Sequence, residues 1–514
     1  MNSIGFKNFR KFTEFPPIKL GGITLLVGGN NAGKSTLVKA MLLMRNFLIA
    51  EGVSDNTNIF KTFTSDFKFD TKHVNIGNFQ RAFCKDAKED QDTITMQASV
   101  EQFFFTVEIK GDRLRMNSLP IVSRLNIKDT KHNVEFNFSF STNKMSVTFA
   151  KNDSSEQNLE KEILSVKTLL ENLHKELNES TDIKASAELN NKIQEAESRQ
   201  KKLMSTPSGN GDYIEIPMSI FINEANTKII PSMIKGFISY ASLVATGKKN
   251  TKTYQEAESA KMRIKAYAPE ISEIANEMDG ILNQDAIQYI YAHSVNQQAL
   301  YNIRETSDYA TKTIHEFFLA RITKGDEEFD FILKWIKKFG IGIDINVYPI
   351  LGEAYQVSVK QESGAEVDLA DLGMGSIQLT ILLLRIATLM RRYKGSRLTI
   401  LLEEPEQNLH PALQSDLADL LFEVNQSPYG FKFVVETHSE YLVRKSQVIV
   451  AQKFNTDQLL KDNPFVTYYM PAHGLPYSME YKTTGRFEER FGSGFFDEAS
   501  NSNMALIRLE RGLK

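Results

Sequence analysis

Apolar and polar positions follow three different rhythms along this chain. Ile23-Thr24-Leu25-Leu26-Val27 is a short, nearly unbroken apolar run, which predicts a strand buried on both faces. A glycine-rich segment follows, and then a helical pattern from Thr36 to Ala50. Residues 1–50 therefore read strand, strand, loop, helix. Between 92 and 150 the rhythm becomes alternating, β-branched and aromatic, in Thr93–Met96, Phe103–Lys110 and Val134–Ser141. Turn signals at Gly111-Asp112 and Asn143-Lys144 break it, which predicts antiparallel sheet.

The third rhythm is a heptad. Leu159, Ile163, Val166, Leu170, Leu173 and Leu177 are spaced alternately by four and three, as in the seam of a coiled coil. Ser180-Thr181-Asp182 interrupts it, with Asp182 placed to cap a second helix, and Leu189, Ile193, Ala196 and Leu203 resume it. Pro207-Ser208-Gly209-Asn210-Gly211 ends the pattern. Two arms of about 20 residues would project roughly 30 Å. A helix pair lying on the body is the other reading, and the charged flanks favour the projecting arm.

Residues 216–285 read as mostly helical, Ile287–Tyr291 as a short strand, 308–339 as helical with Trp335 in a core, and 343–360 as strand. Strand and helix then alternate to the end, as an α/β core requires. The expected units are 1–150, a hairpin insertion over 151–206, a helical part over 207–340, and a second α/β part over 341–514.

Composition narrows this little. The 514 residues suggest about three domain-sized units. No run approaches the ~20 apolar residues of a membrane span, and the N-terminus lacks signal-peptide character. Cys84 is the only cysteine, so an internal disulfide or a cysteine-based zinc site is excluded. A cytoplasmic location, away from membranes, is expected. A net charge of −3 exerts no general pull on nucleic acid.

The chemistry is concentrated in four segments. Gly28-Gly29-Asn30-Asn31-Ala32-Gly33-Lys34-Ser35 fits the phosphate-loop pattern and sits between a predicted strand and a predicted helix. Backbone N–H groups from Gly28 through Asn30, Asn31, Ala32, Gly33, Lys34, Ser35 and Thr36 would cradle phosphates at a helix N-terminus. Lys34 would reach the β- and γ-phosphates, and Ser35 would hold Mg²⁺. Thr399–Leu402 is an apolar run ending in Glu403-Glu404. Glu403 fits an acid holding Mg²⁺ directly or through water, and Glu404 a base that orients or deprotonates water. Val434-Val435-Glu436-Thr437-His438-Ser439 is a similar strand, whose His438 would sense the γ-phosphate. Asp371–Gln378 places Gly373, Gly375 and Ser376 at the start of a long apolar helix, a second anion-binding device.

Taken in order, these segments resemble the ABC-type ATPases of the RecF, Rad and OLD group, in a small bacterial AAA branch. Lys7-Asn8-Phe9-Arg10 and the phosphate loop look like the group's opening, and Gly373-Met374-Gly375-Ser376-Ile377-Gln378 like its signature loop. Glu403-Glu404-Pro405-Glu406 with Leu409-His410-Pro411 looks like its acid strand and following loop. Thr437-His438-Ser439-Glu440 looks like its histidine switch, and Gly485-Arg486-Phe487 and Gly494–Glu498 like its tail. The resemblance implies an ATP- and Mg²⁺-dependent head with Arg10 near the nucleotide and Gln80 on the metal or its water. It also implies a signature loop, Gly373, Gly375, Ser376 and Gln378, that completes the site of an opposite copy. Ser376 or an amide of Gly373 or Gly375 would touch the γ-phosphate there. The fold it implies is a P-loop head with an antiparallel β subdomain, a helical subdomain and an inserted hairpin, working as a homodimer or larger assembly.

Three uses of such a head are open. The first is a sensor or scaffold in anti-phage defence, of the PARIS or Septu type, gating a separate effector such as a Toprim or HNH nuclease. About 75 residues follow His438, which is short for a nuclease domain, so the destructive chemistry is expected from a partner. The second is a repair or recombination ATPase on duplex DNA. Lys248-Lys249 and Arg391-Arg392 are its basic candidates, but no Cys-x-x-Cys hook is present. The third is a standalone nucleotide switch.

Overall fold

A computed structural model describes residues 1–50, 67–71, 73–88, 92–114, 119–150, 212–218, 228–243, 251–291, 298–304, 308–492 and 496–510, with scattered residues between 166 and 196. The chain opens with β1 (Ser3–Phe9) and β2 (Phe12–Lys19), paired as a hairpin, then β3 (Ile23–Gly28) and helix α1 (Lys34–Leu48). The first 28 residues thus hold three strands where the apolar pattern marks two. Short helix α2 (Phe79–Ala82) follows.

An antiparallel sheet comes next: β4 (Thr93–Val100), β5 (Phe103–Lys110), β6 (Ile121–Asp129), β7 (Val134–Ser139), β8 (Lys144–Phe149) and β9 (Asp212–Pro217). With the first hairpin it forms eight strands in the order β2-β1-β4-β5-β6-β7-β8-β9. Alternation explains its one-sided burial. In β5, Phe103, Phe105, Val107 and Ile109 are buried while Phe104 is 47% exposed. Helices α3 (Ile229–Ser242) and α4 (Lys252–Gln284) share the core on which that inner face packs. Along α4, Ile264, Ile271, Ile274, Ala275, Met278 and Leu282 form the inward stripe.

The second sheet is mainly parallel. It uses β3 with β10 (Asp285–Tyr291), β15 (Arg397–Glu403), β16 (Lys432–Thr437), β17 (Phe465–Met470) and β18 (Tyr477–Met479), in the order β10-β15-β16-β3-β17-β18. Its strands send alternate residues to opposite cores. Leu26, Leu401 and Val434 join the core under the antiparallel sheet, whereas Leu25, Val27, Ile400, Leu402, Phe433 and Val435 join the other. Burial on both faces is why these strands read as apolar runs rather than alternations.

The second core also holds α5 (Tyr309–Leu319), α6 (Glu327–Lys338) and α7 (Met374–Arg392). Helix α8 (Pro411–Gln426) and helix α9 (Glu440–Lys453) close the same side. Strands β11 (Tyr301–Asn302), β12 (Asp344–Ile350), β13 (Ala354–Lys360) and β14 (Glu366–Asp368) make a small antiparallel sheet beside it. Among the described residues α7 alone is long and apolar enough to span a membrane, and 78% of that stretch is buried inside the protein. Helix α10 (Glu498–Glu510) is exposed along the residues whose burial is described.

The heptad segment is described only in part, and Leu159, Ile163 and Leu203 lie outside the described residues. Val166, Leu170 and Leu173 cluster with Ile193 and Ala196, flanked by Leu177 and Leu189, apart from the other two cores. The insertion leaves from β8 and returns in β9, with Phe149 and Asp212 facing each other across the strand pair. Lys248-Lys249 and Gly494-Phe495 also lie outside the described residues.

Trp335 lies in the second core at 1% exposure, with its Nε1 donating to Glu423 at 3.3 Å. Trp335→Ala is expected to destabilise the fold by about 3–5 kcal/mol. Urea unfolding followed by circular dichroism measures this, since the substitution removes the only tryptophan.

Candidate functional site

Three neighbouring parallel strands end at one edge, and their registers decide which side chains meet there. Val27 of β3 pairs with Thr437 of β16, and Glu436 of β16 pairs with Glu403 of β15. The loop after β3 and the ends of β15 and β16 are therefore brought together from positions about 370–410 residues apart. In an open parallel sheet this carboxyl edge is where ligands bind.

The loop turns into α1 at Gly33, whose φ is 104° and whose absent Cβ would fall on the Phe12 ring. Only glycine suits that backbone and that space. Lys34 opens α1 and is 3% exposed. Its Nζ donates to the carbonyls of Gly28 and Gly29 and to Nε2 of His438, each at 3.0 Å. An ammonium has three protons, so all are committed and His438 Nε2 must accept. The imidazole is then neutral, with its proton on Nδ1. Its pKa agrees: burial first, then the Lys34 charge, lowers it, while Glu404 opposes. The Lys34 pKa is lowered too, by burial first, against the raising pull of Glu436, Glu404 and Glu406.

Four carboxylates face or flank this lysine. Glu404 has a left-handed φ of 45°, an uncommon conformation for a glutamate. Its backbone N–H donates to Glu436 O at 2.8 Å, and Gln407 Nε2 donates to its Oε2 at 2.7 Å. Its Oε1 lies 3.5 Å from His438 Nε2. Strain of this kind costs of order 1–3 kcal/mol and persists where the surroundings enforce it. Glu436 accepts from Ser35 Oγ at 2.9 Å. Burial pushes its carboxyl up to about 7, with Glu403 and Glu404 adding to the rise and Ser35 and Lys34 opposing it. Glu406 is buried and accepts from Thr437 Oγ1 at 2.7 Å and from the His438 N–H at 2.6 Å, with its pKa raised, chiefly by burial. Glu403 is held from the side by the Tyr289 hydroxyl.

These groups enclose a cleft of about 840 Å³, with Asn30, Asn31, Lys34 and Ser35 on one wall and Glu404, Glu436 and His438 on another. Two oxygens next to it, Glu406 Oε2 and Glu436 Oε2, are buried without a hydrogen-bond partner. Unpaired carboxylate oxygens beside a hydroxyl and a loop at a helix N-terminus suit an anion accompanied by a hard cation. The residues present therefore fit a nucleoside triphosphate with Mg²⁺.

The structure brings Asn30, Asn31, Lys34, Ser35, Glu404 and His438 to one cleft. Ala32 and Thr36 are buried and do not line the cleft, so any part they play is limited to the backbone. Ser35 does not meet Glu403 directly, because β16 lies between β15 and β3 and brings Glu436 instead. Gln80 is exposed on α2 and is not on the cleft wall, and neighbouring Asn78 caps that helix. Arg10 sits in a left-handed turn with φ 59°, its backbone N–H donating to Ala82 O at 2.6 Å, and its charge lowers the pKa of Lys39 on α1.

The signature segment is outside the same-chain cleft. Gly373 and Met374 are exposed and Ser376 is half-buried at the start of α7. Gly375 backs onto Asn408 O, which a Cβ would meet at 2.7 Å. Gln378, expected on nucleotide, is turned inward at 7% exposure, and its Nε2 donates to Pro405 O at 3.0 Å. It ties α7 to the loop after β15. Sequence reasoning passed over Glu436, although a carboxylate inside an apolar strand was a visible signal. It also passed over Lys11, whose Nζ donates to Asn31 O at 2.7 Å.

A family model described as "AAA ATPase domain" matches residues 1–443. No curated protein matches the chain. Among solved structures, an Smc head domain with an extended coiled coil from Pyrococcus furiosus, bound to the C-terminal domain of ScpA, is 11% identical. That match covers 99% of each chain, with a TM-score of 0.31. An SMC head domain from Thermotoga maritima is 10% identical over 93% of this chain and 98% of that one, with a TM-score of 0.33. A third, from Pyrococcus yayanosii, is 10% identical over 94% and 97%, with a TM-score of 0.30. Matches at this level add nothing to the sheet order described above.

Gly33→Ala places a side chain at a positive φ against the Phe12 ring. It is expected to lower stability by about 1–3 kcal/mol, read as a fall in the thermal midpoint.

Proposed function

The chain belongs to the AAA ATPase domain family, and from that premise we propose that it binds ATP with Mg²⁺ in the cleft between Lys34 and His438 and hydrolyses it. One observation carries the reading: Lys34, Ser35, Glu404, Glu436 and His438 converge on one cleft although they come from the ends of, or just beyond, three separate strands. Lys34 exchanges its bonds to Gly28 O, Gly29 O and His438 for phosphate oxygens. Ser35 turns its hydroxyl to the metal. Glu404, fixed by Gln407 and its own backbone bond, orients or deprotonates the attacking water. Mg²⁺, held by Ser35, would supply charge neutralisation on the phosphates.

The same proposal makes the site a shared one. Gly373 and Ser376 stand at the N-terminus of α7 and outside their own chain's cleft. A helix N-terminus exposed in this way suits the γ-phosphate held by a second copy. Two heads would close over two nucleotides, and hydrolysis would release the contact by removing the group both sides bind. A use for that cycle, gating a separate effector such as a Toprim or HNH nuclease in anti-phage defence, is proposed on the resemblance of the motifs alone. Purification with the products of neighbouring genes, with and without a non-hydrolysable ATP analogue, tests it: a nuclease that co-purifies in a nucleotide-dependent way supports it, and its absence counts against it.

Three substitutions test the core of the proposal. Lys34→Ala is expected to lose ATP binding, measured by calorimetry. Glu404→Gln is expected to bind ATP but hydrolyse it at least about 100-fold more slowly, and to accumulate as a dimer in light scattering. Normal turnover by this variant would remove Glu404 from the role given. Gly373→Leu is the clean probe of the second copy, because a Cβ at Gly373 meets nothing within 4 Å. It is expected to leave ATP binding intact while abolishing the dimer and turnover.

A further inference from the structure

We infer that Glu436 is a ligand of the divalent cation, and that in the resting chain it holds Ser35 ready for that cation. The inference rests on the nucleotide-site reading above and adds to it a residue that the phosphate-loop and acid-strand motifs do not include.

The argument begins with β16. This strand lies between the loop strand β3 and the acid strand β15, so its end is nearer to Ser35 than the end of β15 is. Glu436 stands at that end, 4% exposed, and accepts the Ser35 hydroxyl on Oε1 at 2.9 Å. Its other oxygen, Oε2, is buried with no hydrogen-bond partner. A buried carboxylate oxygen left unpaired costs free energy unless something compensates it. Lys34 lies with its Nζ 4.0 Å from Oε1, but its three protons are already given to Gly28 O, Gly29 O and His438.

The neighbouring carboxylate does not relieve the site. Glu403 is the register partner of Glu436, and its own carboxylate is engaged by the Tyr289 hydroxyl. Two carboxylates therefore end adjacent strands, and neither of the ammonium groups that interact with Glu436, Lys34 and Lys39, bonds its Oε2, which leaves that oxygen short of positive charge. A hard dication with oxygen ligands answers that shortage, and Mg²⁺ uses one or two carboxylates together with substrate phosphates. The two oxygens of Glu436 divide the work. Oε1 fixes the Ser35 rotor, leaving the hydroxyl lone pairs free, and Oε2 would be the oxygen left for the cation.

The test uses the full chain and Glu436→Gln, which keeps the shape and an acceptor for Ser35. At a fixed concentration of a non-hydrolysable ATP analogue, Mg²⁺ is titrated and the thermal midpoint followed, with Mn²⁺ binding read in parallel from the free-ion electron paramagnetic resonance signal. The metal concentration for half-maximal effect is expected to rise about 10- to 100-fold. Analogue binding in EDTA is expected to stay the same or tighten, because a negative charge has left the site. A half-saturation within about threefold of the unsubstituted chain, on the scale of that expected change, overturns the inference and leaves Glu436 a structural acid. If the unsubstituted chain binds no analogue with or without metal, the nucleotide-site reading itself falls. Should Glu436→Gln fail to fold, Glu436→Asp is read in its place. It keeps the charge but withdraws it by one methylene, so a raised half-saturation supports the ligand and an unchanged one counts against it.

Discussion

The parallel pairing of β3 with β16, and of β16 with β15, is the constraint on which the site depends. Each strand alone is an apolar run with a polar end. Their registers make Val27 level with Thr437 and Glu436 level with Glu403. A slip of one residue would turn those side chains to the opposite faces of the sheet. The two cores guard against it, because Leu26, Leu401 and Val434 must face one core while Val27, Ile400, Leu402 and Val435 face the other. Hydrophobic burial far from the cleft thus sets the alignment of charges within it.

That alignment makes a network closed on itself. Lys34 is satisfied by two loop carbonyls and an imidazole, and Ser35 by Glu436. The carboxylates remain in excess, with the pKa values of Glu406 and Glu436 raised mainly by burial. An anion arriving alone would meet these acids at close range. Arriving with a dication it brings the missing positive charge, so the arrangement favours the metal-bound ligand over the free one. The family membership and the geometry point the same way here.

Much of this was legible in the sequence, and the remainder was hidden for identifiable reasons. The phosphate loop, the acid strand, the histidine strand and the core position of Trp335 are local patterns, and local patterns survive folding. The strands β6, β8 and β9 are not separately marked by the apolar pattern, and β8 and β9, of six residues each, take from pairing across the sheet a support that their own residues do not display. Glu436 was passed over because its significance depends on which strand lies beside β3. Gln378 was placed on nucleotide by likeness of motif, whereas here its amide bonds Pro405 O inside the protein. Gly375 serves a local need as well, since its lack of a side chain admits the Asn408 carbonyl.

The stem formed by Phe149 and Asp212 has a wider bearing. Departure and return points that are already neighbours make the intervening segment a graft rather than a splice. The entropy of closing such a segment grows only slowly with its length, so the graft can be lengthened, shortened or exchanged at little thermodynamic cost to the sheet beneath. The edge that carries the cleft is built on a different sheet altogether, so a change in the length of the intervening segment leaves the alignment of charges there untouched.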